Sequence, residues 1–419
     1  MKSFSPPPDK SITIRALLLA AIAAGSTRIE NPLYCEDTAA ALRCLEALGV
    51  RLCREGGAIV VEGRGLKGLI RPAGPLDAGE SGALARLLAG ILAGQDFPSE
   101  ITGRGSLLRR PMGATEAALK KLGARIKTKN GFLPFAIKPA RLKGCRVGGI
   151  ESAQVKSALL LAGLYASGRT QVKENLITRD HTERLLALLG ARVTKNGPLS
   201  GVEPGPLTAR PIAVPGDISS AAPFIAAALL GRTPLRITGC GLNPARLGFI
   251  AALRKMGVKI TVSAAESFPE PAGEIVVHPS PLKAASFAPE DLPAMIDEVP
   301  LLALLAGSAR GTSRIKGAES LRAKESDRIE STLALLASLG VKAAYARGTL
   351  TVTGAKKFTL KAPVETFGDH RIAMAAAAAS AVCPGLEIKN PGCVDKSYPG
   401  FYRDFKRLWP PRGAQKDGI

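Results

Sequence analysis

Aromatic residues are scarce: 12 Phe, 5 Tyr and a single Trp make up 4% of the 419 residues. Proteins that bind single-stranded nucleic acid use aromatic side chains as stacking platforms, so the shortage argues against that class of partner. Histidine is scarcer, with only His181, His278 and His370, which leaves little for imidazole metal sites or catalytic triads. The seven cysteines (Cys35, Cys44, Cys53, Cys145, Cys240, Cys383 and Cys393) form no Cys-x-x-Cys pair and have no His at zinc-ligand spacing. They read as reduced packing residues of a cytoplasmic protein, with no metal expected. A Gly-Lys-Ser/Thr phosphate loop and a His-Glu-x-x-His motif are both missing. No apolar run reaches the ~18 residues that span a bilayer; the longest, Ile372 to Cys383, has twelve. No membrane partner is expected.

Acidic residues are also in deficit. Against 35 Asp+Glu stand 57 Lys+Arg, a formal charge of +22. That excess points to anionic partners. The charges are dispersed, with no block of five or six of one sign and so no polybasic arm. A cationic nucleic-acid-binding protein is the competing reading of the charge alone. The 46% hydrophobic content is mainly aliphatic and excludes disorder. At ~100–200 residues per domain the length predicts two or three domains.

Lys2, Lys10 and Arg15 precede the apolar stretch Ala16 to Ala24, so the N-terminus passes loosely for a signal peptide. The same pattern recurs inside the chain, which points instead to a structural helix. The recurring module has an apolar helix-length stretch, a Gly, a short strand-like run, and an amphipathic helix ending in Leu-Gly or Met-Gly before another strand. Its apolar stretches begin at Ser11, Glu80, Ser152, Asp217, Met295 and Asp369. The strands that follow begin near Gly25, Gly94, Gly168, Gly231, Gly311 and Gly385, spaced by 69, 74, 63, 80 and 74 residues. Gly49, Gly123, Gly190, Gly257 and Gly340 close the second helices, where a left-handed C′ residue is expected. Six modules suggest two domains of three. The sixth module ends the chain without its final strand.

The apolar stretches open on polar residues, at helix N-termini where free N–H groups and the helix dipole favour anions. Charged clusters gather there and at other element starts: Asp9-Lys10-Ser11 with Arg15, Arg109-Arg110-Pro111, Thr178 to Arg184, Lys324 to Arg328, Gly368 to Arg371, and Asp395-Lys396-Ser397. Pro111 suits the first turn of a helix. Lys324 and Arg328 have the i,i+4 spacing of one helical face. Gly63-x-Gly65-x-x-Gly68 matches a dinucleotide fingerprint by letters, but Pro72 follows and no helix opens, so a loop is expected. If the fold brings equivalent edges of the modules together, the clusters form one cationic cleft suited to phosphates and carboxylates.

On the segments Asp9-Lys10-Ser11, Arg110-Pro111-Met112-Gly113, Ser152 to Ala158, Arg179 to Arg184, Lys324 to Arg328 and Gly368 to Arg371, the chain resembles the enolpyruvyl transferase family, from about Pro7 to Phe405. The resemblance is to the branch acting on shikimate 3-phosphate. The branch acting on UDP-N-acetylglucosamine typically has Asn after the N-terminal Lys and a Cys-bearing catalytic loop; here Ser11 follows Lys10 and no such Cys is found.

The resemblance implies an α/β fold: a two-domain inside-out α/β barrel of six βαβαββ-type modules, three per domain, with helix N-termini aimed at the interdomain cleft. Residues 11–214 would form the first domain, and 1–10 with 215–419 the second. It implies transfer of the enolpyruvyl group of phosphoenolpyruvate to the shikimate 5-hydroxyl by a cytoplasmic monomer, with no metal, cofactor or nucleic acid. Shikimate 3-phosphate would be held by Lys10, Ser11, Arg15, Ser152, Gln154, Thr178, Asp297 and Lys324. Phosphoenolpyruvate would be held by Lys10, Gly82, Arg110, Gln154, Arg328, Arg371 and Lys396, with Arg179 a further candidate cation. Asp297, Glu325 and Lys10 are the implied catalytic residues.

Several positions depart from the family's usual pattern. Pro8 replaces Gly, Ile14 replaces His, Glu80 replaces Asn, Ala83 replaces Thr and Thr178 replaces Ser. An ionised Glu80 beside phosphoenolpyruvate would repel it, by about 4 kcal/mol at ~4 Å and an effective dielectric of 20. Glu80 is therefore expected to pair with an Arg such as Arg86 or to turn away. A catalytically degraded family member is the alternative these departures raise.

Overall fold

The computed structural model describes residues 1–266 and 268–410. Its N-terminal unit comprises Pro8–Pro215 with Phe268–Glu270; its C-terminal unit comprises Met1–Pro7, Gly216–Ser267 and the chain from Pro271 onward. Asp9 falls in the N-terminal unit because its N–H donates to the Pro215 carbonyl at 2.8 Å and its carboxylate caps the helix that follows. The first crossing therefore lies three residues earlier than the expected Lys10. Nothing in the sequence marked the return at Phe268–Glu270.

Among the described residues, two kinds of helix alternate. In the N-terminal unit they are α1 (Lys10–Ala21), α2 (Glu36–Ala47), α3 (Gly82–Leu92), α4 (Gly113–Lys121), α5 (Ala153–Gly163) and α6 (His181–Leu188). In the C-terminal unit they are α7 (Ile218–Leu230), α8 (Gly248–Lys255), α9 (Val299–Ala306), α10 (Arg328–Ser338), α11 (His370–Ser380) and α12 (Phe401–Leu408). The odd-numbered helices are apolar nearly all round and buried along most of their length. Five of the six are capped by a side chain that accepts a backbone N–H: Asp9, Ser81, Ser152, Asp217 and Asp369. The stretch that passes for a signal peptide is α1, whose fully buried leucines contribute about 1.5–3 kcal/mol each. The even-numbered helices are amphipathic, and α2, α4, α6, α8 and α10 run into Gly49, Gly123, Gly190, Gly257 and Gly340, all at positive φ.

Three odd helices pack together at the centre of each unit, with sheets outside. At the α3/α5 crossing the backbones approach so closely that a Cβ on Gly90 would lie 2.3 Å from the Ala158 carbonyl oxygen. The sheets share one plan. Leu76–Asp77 pairs in parallel with Ser99–Thr102, which pairs antiparallel with Phe132–Lys138, and that strand with Arg125–Lys129. Leu133, Phe135 and Ile137 face the helices while Phe132, Ala136 and Lys138 face outward. Arg146–Ile150, Thr170–Glu174, Leu199–Val202 and Val193–Asn196 repeat the plan. So do Ser286–Phe287, Thr312–Lys316, Thr349–Thr353 and Lys342–Ala346.

Two sheets borrow their parallel edge from far away in sequence. Leu207–Thr208 and Ile212–Ala213 pair with Ala23–Glu30, and Lys2–Phe4 pairs with Leu235–Gly241. The sixth module keeps only Val364–Glu365 paired with Ile388–Lys389. In place of the hairpin, α12 contributes to an aromatic cluster of Phe4, Phe224, Tyr398, Phe401, Phe405 and Trp409. The scarce aromatics are thus concentrated where a module is incomplete.

Candidate active site

In the N-terminal unit the first turns of α1, α3 and α5 carry the candidate residues. Lys10 opens α1, and its Nζ lies 2.8 Å from Asp37 Oδ2 in the first turn of α2. One turn on, Arg15 is buried, with its Nε donating to Thr182 Oγ1 at 2.9 Å, Nη1 to the Ser11 carbonyl at 2.9 Å and Nη2 to Ser157 Oγ at 3.3 Å. Burial lowers its pKa to about 10; Asp9 opposes the shift and Arg179 adds to it, so Arg15 stays charged at neutral pH.

Gly82 opens α3. Arg86, one turn on, donates from Nη1 to Gln154 Oε1 at 2.6 Å and to the Gly82 carbonyl at 3.2 Å, and from Nη2 to the Pro111 carbonyl at 2.8 Å. Arg110 closes on the same spot, so a Cβ on Gly82 would lie 2.9 Å from its Cζ. The structure thus gathers Gly82, Arg110 and Gln154 around Arg86. Pro111 precedes the helix instead of entering its first turn, because Met112 and Gly113 donate their N–H groups to the Gly131 carbonyl and α4 begins only at Gly113.

Ser152 caps α5 and Gln154 follows it. On the same helix Lys156 is fully buried between Glu174 Oε2 at 3.0 Å and Glu183 Oε1 at 2.8 Å. Glu174 also accepts the N–H and hydroxyl of Thr178. His181 Nδ1 hydrogen-bonds Glu270 Oε1 at 2.7 Å, so the returning segment Phe268–Glu270 meets the start of α6.

In the C-terminal unit the arrangement centres on Arg328, 1% exposed at the start of α10. Its Nε donates to Asp369 Oδ2 at 2.8 Å, Nη1 to Asp297 Oδ1 at 3.1 Å, and Nη2 to Glu325 Oε2 at 2.6 Å. Burial opposes the charge on Arg328, but Asp369, Glu325 and Asp297 outweigh it and push the pKa up. Lys324 and Arg328 do not share a helical face. Asp327 caps α10 by accepting the N–H groups of Ile329 and Glu330, so the helix starts at Arg328 and Lys324 lies in extended backbone before it. Arg371, in the first turn of α11, donates from Nη1 to the Ser219 carbonyl at 3.1 Å, and Lys396 donates from Nζ to the Gly368 carbonyl at 3.4 Å.

Sequence reasoning missed a second buried network in this unit. The Ser219 hydroxyl donates to Glu298 and accepts from Arg246 Nη2 at 2.7 Å, while Arg246 also reaches Asp217 Oδ1 at 3.0 Å. The Asp-Glu pair at 297–298 was the available signal. Among the described residues no group of three or more His, Cys, Asp or Glu side chains is arranged to hold a metal ion.

The family model of EPSP synthase (3-phosphoshikimate 1-carboxyvinyltransferase) matches residues 2–405. The chain belongs to the EPSP synthase family. It is 42% identical over 410 residues to the 3-phosphoshikimate 1-carboxyvinyltransferase of Limosilactobacillus fermentum, covering 96% of this chain and 95% of that protein. The protein of the same name from Bacillus subtilis is 39% identical over 409 residues, with 96% of each covered. The solved EPSP synthase of Acinetobacter baumannii superposes with a TM-score of 0.83 at 35% identity, covering 98% of this chain and 96% of that one. The enolpyruvyl transferase NikO of Streptomyces tendae shares the fold, with a TM-score of 0.75 at 20% identity over 97% of this chain and 94% of its own.

As an EPSP synthase family member the chain accommodates its departures locally. Ile14 is fully buried in the core of the N-terminal unit, where an apolar side chain packs without a polar partner. Glu80 is directed at the loop before Arg110, where its Oε2 accepts the N–H and hydroxyl of Ser106. Gly105 makes room for it: a Cβ there would lie 2.6 Å from the Glu80 carboxyl carbon.

Proposed function

We infer that the chain transfers the enolpyruvyl (carboxyvinyl) group of phosphoenolpyruvate to the 5-hydroxyl of shikimate 3-phosphate and releases phosphate, in the shikimate pathway to aromatic amino acids. The observation that carries this reading is a set of buried guanidinium groups at or close to helix N-terminal ends: Arg15, Arg86, Arg110, Arg328 and Arg371 are each 9% exposed or less. Desolvating that much positive charge is costly unless anions meet it.

Shikimate 3-phosphate is assigned to Lys10, Ser11, Arg15, Ser152, Gln154, Thr178, Asp297 and Lys324. Thr178 donates its hydroxyl proton to Glu174, so donating to a phosphate requires it to release that bond. Phosphoenolpyruvate is assigned to Lys10, Gly82, Arg110, Gln154, Arg328, Arg371 and Lys396. Asp297 takes the 5-hydroxyl proton as the oxygen attacks the enol carbon, while Glu325, with Lys10 as its alternate, protonates the methylene carbon. The tetrahedral intermediate then loses a methyl proton and expels phosphate, whose charge the cations stabilise. Positioned proton transfer of this kind contributes about 10²- to 10⁴-fold. The side chains of Asp297 and Glu325 are 19% and 16% exposed, which keeps both within reach of substrate.

Phosphate should appear only when the purified chain meets both substrates. Equal release from phosphoenolpyruvate alone would overturn the transferase reading. The same reading has the chain act as a cytoplasmic monomer without metal, cofactor or nucleic acid, so light scattering should give a single species near 43.5 kDa.

A further inference from the structure

Residues 117–150 hold nine Lys and Arg and no Asp or Glu, so this short stretch supplies +9 of the chain's formal +22. No block of consecutive charge marks it, because the cations alternate with other residues. In the strand Arg125–Lys129, Ile126 is buried while Arg125, Lys127 and Lys129 are exposed on the outward face. In the neighbouring strand Lys138 is outward too, directly opposite Arg125. Like charges facing each other across a ladder are destabilising. Two sheets of the same molecule answer their cations with acids: Arg28 has Glu30 at 2.6 Å and Glu55 at 3.3 Å, and Arg236 has Glu274 at 2.7 Å.

The charge gathers at one corner of the N-terminal unit. Lys120 and Lys121 end α4, and the chain after Lys138 crosses that end: Lys143 N–H donates to the Leu122 carbonyl at 2.9 Å and Cys145 Sγ to the Lys121 carbonyl at 3.5 Å. Arg141, Lys143 and Arg146 are exposed along it. Lys120 pairs with Glu116, and the other eight cations make no ion pair among the described residues. The helix dipole accounts for Lys120 and Lys121 but not for the rest. α4 opens at Gly113, just after Arg110, and its nine residues put the corner about 13 Å from that end. The corner is therefore no part of the candidate active site.

What this surface lacks selects its partner. Stable membrane binding needs an apolar anchor beside the charge. The exposed large hydrophobic side chain of this stretch, Phe132, lies opposite Lys129, at the far end of the strand from Arg125. Single-stranded nucleic acid needs stacking aromatics, and the corner exposes none. A duplex backbone needs only cations. We propose that this corner binds the phosphodiester backbone of double-stranded nucleic acid without reading its sequence. This goes beyond the transfer reaction, which needs no nucleic acid and uses none of these residues.

Fluorescence anisotropy of the full chain with a labelled DNA duplex of about 20 base pairs tests this, with KCl raised from about 50 to about 200 mM. With about five phosphates neutralised, log K should fall with log salt at a slope of about −4.5. Arg125→Gln alone should make that slope shallower by about 1. Arg125→Gln, Lys127→Gln, Lys138→Gln and Lys143→Gln together should weaken binding about 100-fold or more at the lowest salt. A control removes the same charge from exposed Lys259, Arg310, Lys342 and Lys357 of the C-terminal unit, each changed to Gln, and should lose less than about fivefold. Equal losses in the two quadruple variants would assign the binding to net charge and overturn the proposal. So would the absence of a complex between the parent and the duplex at the lowest salt, or tighter binding to vesicles of phosphatidylglycerol and phosphatidylcholine than to the duplex. All the altered side chains are exposed, so melting temperatures should match the parent's. If the quadruple variant melts early, the single change decides: an unaltered slope for Arg125→Gln overturns the proposal.

Discussion

Replacing Gly82 by Ala tests how tightly the start of α3 is fitted to its arginines. A Cβ built there lies 2.7 Å from Arg86 Nη1 and 2.9 Å from Arg110 Cζ, where ordinary contact is 3.4–4 Å. Both neighbours are ends of long side chains, so the helix need not move, and Ala is the better helix former by ~0.8–1 kcal/mol. Thermal stability should therefore hold or rise slightly. The cost falls on the guanidinium groups. Arg86 Nη1 must retreat by several tenths of an ångström from a position that holds Gln154 Oε1 at 2.6 Å and the Gly82 carbonyl at 3.2 Å. Losing one charge-assisted hydrogen bond is worth about 1.5–3 kcal/mol. At 1.4 kcal/mol per decade, that is an increase of about 10- to 150-fold in the KM for phosphoenolpyruvate. Shikimate 3-phosphate keeps Lys10, Ser11 and Arg15, so its KM should move by less than about fivefold. Steady-state phosphate release with each substrate varied, together with a thermal melt, supplies both readouts. A KM for phosphoenolpyruvate within twofold of the parent, at unchanged melting temperature, would refute the argument.

Lys156→Met strands Glu174 and Glu183 in the core; breaking such a buried pair costs about 3–5 kcal/mol. At roughly 2–4 °C per kcal/mol, calorimetry should show the melting temperature fall by about 6–20 °C. Glu80→Gln keeps an oxygen acceptor for Ser106, so the KM for phosphoenolpyruvate should stay within about threefold; a tenfold fall would mean that the native carboxylate repels the substrate. Thiol labelling at pH 8 should modify exposed Cys53 first and half-buried Cys145 next, while the other five wait for unfolding. Cys44 is held back further, because burial and, after it, the charge of Asp77 push its pKa up to about 12 against the opposing Arg43.

Much of the fold was legible because it repeats. The apolar stretches became α1, α3, α5, α7, α9 and α11, and the Leu-Gly and Met-Gly pairs became helix ends with glycine at positive φ. Local spacing misled at two places where a hydrogen bond, one distant and one from a neighbouring cap, decides where a helix begins. The Gly131 carbonyl holds α4 back to Gly113, and the Asp327 cap starts α10 at Arg328, beyond Lys324. The clusters flagged in the sequence do hold the candidate residues, but their partners were invisible. Asp37 beside Lys10, Glu174 and Glu183 around Lys156, and Asp297 and Asp369 on Arg328 come from other modules or from across a loop; only Glu325 lies in the same segment as Arg328. Such pairings depend on tertiary packing, which no window of the sequence records. Glu270 beside His181 is the extreme case, brought by a segment more than eighty residues away.

The crossings at Pro7–Pro8 and Pro215–Gly216 place their chain ends side by side. Asp9 N–H donates to the Pro215 carbonyl at 2.8 Å, and Asp217 N–H donates to the Pro7 carbonyl at 2.8 Å. Apart from the short return at Phe268–Glu270, the chain is therefore a host domain interrupted by a guest, with Pro8–Pro215 entering and leaving at one point. This orders events on the ribosome. Lys2–Phe4 emerges before the guest, yet its strand partner is Leu235–Gly241. At about 5–20 residues per second, that partner follows roughly 10 to 50 seconds later. In that interval the guest acquires its three central helices, its sheets and its own closing strands at Leu207–Thr208 and Ile212–Ala213. The N-terminal strand waits through the synthesis of a whole domain before it has anything to pair with.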